Sequence, residues 1–143
     1  MGTRCAINFC YGNRIEAKIY RHWDGYPDGN GGVLVDLRKF FDAVKAQTND
    51  TRFNDPTYLA AKFLVLAIVA PKLQEDADKA AGMKKSWGEW PKRETKDRYL
   101  DFLGYGVMMS DPGDLEYFYN VDCNSFDKDG YPVVTYRSVY ANR

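Results

Sequence analysis

Apolar and polar positions alternate from Cys5 to Tyr11, break at Gly12-Asn13, and alternate again from Arg14 to Trp23 through Ile15, Ala17 and Ile19. A period of two marks a strand, so two such runs joined by two turn residues predict a β-hairpin. Glycine at the first central position suits a tight turn with positive φ there. The stretch Asp24 to Gly32 follows, with four glycines in nine residues, and no regular element is expected to run through it.

From Val33 the period changes. Val33, Leu34, Leu37, Phe40, Phe41 and Val44 recur at three- and four-residue steps, which predicts an amphipathic helix ending near Thr48. A polar loop over Asn49–Asp55 leads to Pro56, a residue suited to the first turn of a helix. The second helix is expected to reach about Val69, with apolar residues on nearly every side and therefore a need for cover all round. Residues 72–98 differ in kind: 8 basic and 6 acidic residues are mixed among breakers and predict a charged surface excursion from a single domain spanning residues 1–143. The last third returns to strands, Tyr105–Met109, Leu115–Asp122 and Pro132–Tyr140, separated by turn-forming segments that include Asp127-Lys128-Asp129-Gly130. The predicted order is ββααβββ: an α+β fold with a largely antiparallel sheet of about five strands and two main helices packed on one face.

Composition adds bounds. The chain of 143 residues carries 20 basic and 20 acidic side chains, and 15% of it is aromatic. A zero balance argues against an extended nucleic-acid surface, which needs a basic surplus. The zero is a cancellation: residues 1–71 hold 9 basic against 7 acidic, residues 72–98 hold 8 against 6, and residues 99–143 hold 3 against 7. A local anion site in the first half stays allowed. The most apolar run, Tyr58–Ala70, has 13 residues and is interrupted by Lys62, short of the roughly 20 that span a bilayer. Cys5, Cys10 and Cys123 form no metal-binding spacing, and the N-terminal residues carry no apolar signal core; a cytoplasmic protein with reduced thiols and no cofactor is expected.

Four places carry candidate chemistry. In the first, the glycines before the first helix can offer backbone N–H groups and the positive end of the helix dipole to a phosphate or carboxylate. Arg21, His22, Trp23, Asp24, Tyr26, Gly29, Gly31 and Gly32 are the candidate ligand-binding residues, with Trp23 and Tyr26 placed to stack on a base or sugar. The segment is neither a P-loop nor a dinucleotide fingerprint, because no Lys-Ser/Thr follows the glycines and the third GxGxxG position falls on Leu34. The alternative is that the glycines turn the chain sharply and that His22 and Trp23 brace the turn from inside.

In the second, His22 is the only histidine, which excludes two-histidine metal sites; with Asp24 it forms a weak acid–base candidate beside a structural or ligand-orienting role. In the third, alternation puts Glu116, Phe118, Asn120 and Asp122 on one strand face, and Glu116 and Asp122 are weak metal candidates against a solvated face. In the fourth, Trp87 and Trp90 stand in the charged excursion as candidate partner anchors. Asp-Gly-Tyr-Pro occurs at 24–27 and at 129–132, and shared turn chemistry accounts for the recurrence.

Ile19-Tyr20-Arg21-His22-Trp23-Asp24-Gly25-Tyr26-Pro27 with its following glycines, Tyr58-Leu59-Ala60-Ala61-Lys62-Phe63, and the later Gly104-Tyr105-Gly106 and Gly113-Asp114-Leu115-Glu116-Tyr117 segments resemble a family of small bacteriophage and prophage proteins with an HWDGYP signature. The resemblance implies a phage-type accessory protein in a host cytoplasm and carries over no catalytic residue. The leading expectation is a protein that acts by binding, either sequestering a small nucleotide-like anion or inhibiting a host defence protein. The rivals are a His-dependent nucleotide or phosphodiester hydrolase and a homo-oligomeric interaction protein.

Overall fold

The computed structural model describes residues 2–67, 81–82 and 104–139. The chain divides into two compact units, residues 1–63 with 104–143 and residues 64–103, and the architecture is that of the first. Apart from residues 81–82, the charged excursion, with Trp87 and Trp90, lies outside the described residues, as does the expected end of the second helix.

Strands β1 (Cys5–Tyr11) and β2 (Arg14–Arg21) form the expected hairpin, with Gly12 at φ 63° in its turn. Helix α1 (Val33–Gln47) buries the five apolar positions Val33, Leu37, Phe40, Phe41 and Val44. Helix α2 is described over residues 56–67 and starts at Pro56 behind Asp55, whose Oδ1 accepts from the Tyr58 N–H and Thr57 hydroxyl as an N-cap does. Strands β3 (Tyr105–Met108), β4 (Tyr117–Phe126) and β5 (Pro132–Ser138) complete an α+β fold.

The sheet order is β3-β2-β1-β4-β5. Three of its four joints are antiparallel; the β1–β4 joint is parallel, with Ile7 opposite Tyr119 and Phe9 opposite Val121. Alternation sets the two faces of a strand and not its direction, and a parallel neighbour requires a long crossover, here the whole chain between β1 and β4. The central position explains β1 itself: Cys5 through Cys10 are all buried.

Both helices lie on one face of the sheet. Phe9 of β1 meets Phe63 of α2 at 5.9 Å between ring centroids, and Phe63 meets Phe40 of α1 at 5.4 Å. Phe41, Phe53 and Tyr131 close a second aromatic cluster beside them. Each such ring contributes about 2 kcal/mol by burial, so these clusters are a main source of the fold's stability. The described part of α2 is not covered all round, because Tyr58 is 55% exposed.

The two Asp-Gly-Tyr-Pro segments serve α1 at different places. Carbonyls of Tyr26 and Pro27 accept the first N–H groups of the helix, whereas Tyr131 donates its hydroxyl to Asp42 further along it. Their backbones differ, with Asp24 left-handed at φ 58° in the first and Gly130 at φ 79° in the second. The recurrence therefore does not reflect the shared local geometry expected for it, and the two segments are not copies of one structural unit.

Candidate functional site

The HWDGYP segment leaves β2, passes the start of β1 and enters α1. Gly25 donates its N–H to the Thr3 carbonyl at 2.8 Å and accepts the buried Tyr119 hydroxyl at 2.6 Å. A Cβ at Gly25 would stand 2.7 Å from the Thr3 oxygen, so no other residue fits without displacement. Gly29 and Gly32 close the turn containing Asn30 and Gly31 through a 3.0 Å bond, and a Cβ on Gly32 would stand 2.6 Å from the Asp28 carbonyl oxygen.

Arg21 organises this loop from below. It is 5% exposed; its Nε donates to the Trp23 carbonyl at 2.9 Å, and its Nη2 donates to the Gly31 carbonyl at 2.6 Å. Nη1 stands 2.8 Å from Asp36 Oδ2 as an ion pair without the alignment of a hydrogen bond. Asp36 lies in the first turn of α1, where a carboxylate also complements the helix dipole. A guanidinium keeps its charge when buried, and here its three nitrogens fasten both sides of the loop to the helix.

The same loop occupies the first two donors of the helix. Val33 N–H is 2.9 Å from the Tyr26 carbonyl and Leu34 N–H is 3.1 Å from that of Pro27. The Val33 and Leu34 N–H groups and the buried Arg21 guanidinium are thus directed at the loop's own backbone and at Asp36.

His22 and its neighbours face elsewhere. The Tyr20 hydroxyl is 2.6 Å from His22 Nδ1, and the imidazole meets the Trp23 indole edge-on at 4.9 Å. The indole lies against Gly2 and Gly104 and is 45% exposed with its residue. Tyr26 donates to the Asn30 carbonyl at 3.3 Å, within the loop.

The carboxylate candidates are far apart. Glu116 lies beside the start of β1, its N–H on the Arg4 carbonyl at 2.9 Å, whereas Asp122 lies six residues further along the chain, roughly 20 Å at the rise of a strand. Asp122 accepts from the Asn124 and Gly12 N–H groups at 2.9 and 3.0 Å, and these bonds hold its carboxyl below the usual range. Asp122 therefore caps the β1–β2 turn, at the opposite end of the sheet from His22. Among the described residues no three His, Cys, Asp or Glu side chains converge as a metal site.

The face opposite the helices carries a polar chain that sequence reasoning did not single out. Lys18, 8% exposed, donates to Asn8 Oδ1 at 2.9 Å and to Asp111 at 2.7 Å, and Asn8 donates to Asn120 at 3.0 Å. The signal was present: Asn8 interrupts an apolar strand, and Lys18 interrupts Ala17 and Ile19. All three thiols are buried, with Cys5 and Cys123 pushed up to about 12 by burial and Cys10 raised for the same reason.

Among the described residues, no helix is long and apolar enough to cross a membrane. No protein-family model matches the chain, and neither does a curated protein or a solved structure.

Proposed function

We propose that this chain is a phage-type accessory protein that acts by binding a host protein. The observation that carries the reading is the commitment of Arg21 to Trp23, Gly31 and Asp36 within the glycine-rich loop. A sequestered nucleotide-like anion would need those donors, so of the two binding versions the protein partner is better supported. The HWDGYP resemblance supports the phage setting. Exposed tyrosines beside arginines, Tyr11 next to the hairpin turn and Tyr58 under Arg52, supply the side chains that dominate protein contacts. Trp87 and Trp90 remain proposed anchors of the same partner.

The test is affinity capture from a host lysate with the wild type and a Tyr11→Ala, Tyr58→Ala variant, beside a thermal-shift panel of nucleotides and cyclic dinucleotides. One host protein retained by the wild type and lost by the variant is the expected result. A rise in melting temperature with a nucleotide, and no retained protein, would overturn the reading in favour of the small-ligand version.

A further inference from the structure

Strands β3 and β4 run in the same direction with β2 and β1 between them. Their connection, residues 109–116, therefore has to cross two strands, three spacings or roughly 14 Å. Lys18 Nζ donates to Asp111 Oδ1 at 2.7 Å, which puts the crossing on the face opposite the helices. Asp114 meets Arg4 at 2.8 Å near the start of β1, and the buried Leu115 seats the end of the connection. Ala6, Asn8 and Lys18, all buried, lie on the crossed face.

Little else holds this strap. Residues 109–114 are exposed, and among the described residues no backbone hydrogen bond joins them to a strand. A Cβ at Gly113 would meet nothing within 4 Å, so the chain stands clear of its surroundings there. The two ion pairs are unequal. Arg4 and Asp114 have side chains 28% and 60% exposed, and such a pair contributes little in water. The Lys18 side chain is 10% exposed, and Asp111 is its one acidic partner among the described residues, so a buried ammonium depends on a carboxylate carried by an exposed loop.

We propose that residues 109–114 form a strap latched by the Lys18–Asp111 pair, which covers Lys18 and Asn8 when closed and bares them to solvent when released. Segments without ladder bonds and with few buried apolar contacts are those that open locally at least cost. Once the strap lifts, water hydrates the ammonium, which offsets part of the cost of breaking the pair. The released face presents the Lys18 ammonium with the Asn8 and Asn120 carboxamides. The inference stands on the fold and does not depend on the partner reading.

The test is backbone amide relaxation of the isotope-labelled protein, with a nitroxide on Gly113→Cys as a second gauge; the three native thiols are buried and escape the label. In the wild type, order parameters in residues 110–114 are expected near the rigid value of about 0.85, and the label broadens the Asn8 and Lys18 signals. In Asp111→Asn the strap values fall below about 0.6 and the broadening weakens, while β1 and β4 keep their order parameters. Lys18→Met, which removes the buried charge itself, releases the strap in the same way and serves if Asp111→Asn fails to fold. Arg4→Gln, at the exposed pair, leaves the Asp111 end closed. Strap values already below about 0.6 in the wild type, values unchanged in Asp111→Asn and Lys18→Met, or full release in Arg4→Gln would each overturn the proposal.

Discussion

Arg21 Nη1 and Asp36 Oδ2 lie 2.8 Å apart, joining the last residue of β2 to the first turn of α1 across the glycine-rich loop. The arginine side chain is 6% exposed and the aspartate side chain 33%, so the guanidinium depends on this partner far more than the carboxylate does. Asp36→Ala leaves a buried charge without its counterion and is expected to cost about 3 kcal/mol. Arg21→Met removes the charge but strands the Trp23 and Gly31 carbonyls, at about 2 kcal/mol. Urea unfolding of both variants checks the order; a larger loss in Arg21→Met would mean that the loop bonds outweigh the ion pair.

Gly32 and Gly113 make a matched pair for the loop's close packing. A Cβ on Gly32 meets the Asp28 and Pro27 carbonyl oxygens at 2.6 and 2.8 Å, all backbone, whereas one on Gly113 meets nothing within 4 Å. Gly32→Ala is expected to destabilise by about 2 kcal/mol or more, and Gly113→Ala to change stability by under about 0.5 kcal/mol. Melting temperatures of the two proteins decide it.

Asp122 sets part of the acid response. Its carboxyl is held below the usual range by the Asn124 and Gly12 amides, so its contribution is present above the unfolded-state pKa near 4 and is lost as pH falls through the lower folded value. Asp122→Asn is therefore less stable than the wild type at pH 7, by about 1 kcal/mol, and the gap narrows as pH drops below about 4. A constant gap from pH 7 to pH 2 would show that the amide bonds do not depend on the charge.

The thiols give a readout of unfolding. Cys5 and Cys123 are fully buried with pKa pushed up to about 12, and Cys10 is buried and raised. At pH 8 the native protein should leave all three unmodified by an aromatic disulfide reagent, and denaturant should release all three. Fast labelling of one cysteine in native buffer would mark local opening of its strand.

The strands, α1 and the start of α2 were legible because period-two and period-3.6 patterns are local properties, and Gly12-Asn13 and Pro56 punctuate them. The parallel β1–β4 joint was not, since both faces of β1 are buried and alternation is silent on direction. Asn8, Lys18 and Asn120 illustrate the same limit. Each is an ordinary polar residue in its own strand, and only the cross-strand register brings their side chains together.

For the glycine-rich loop, the sequence determined that no regular element could pass and that a helix would start at its end. Whether the helix N–H groups faced a ligand or the chain itself depended on where Arg21 came to rest. Its partners Gly31 and Asp36 are ten and fifteen residues away, and packing of β2 under the start of α1 puts them within reach. Local sequence encodes backbone permission; the commitment of a buried charge to particular acceptors arises only when distant segments exclude water around it.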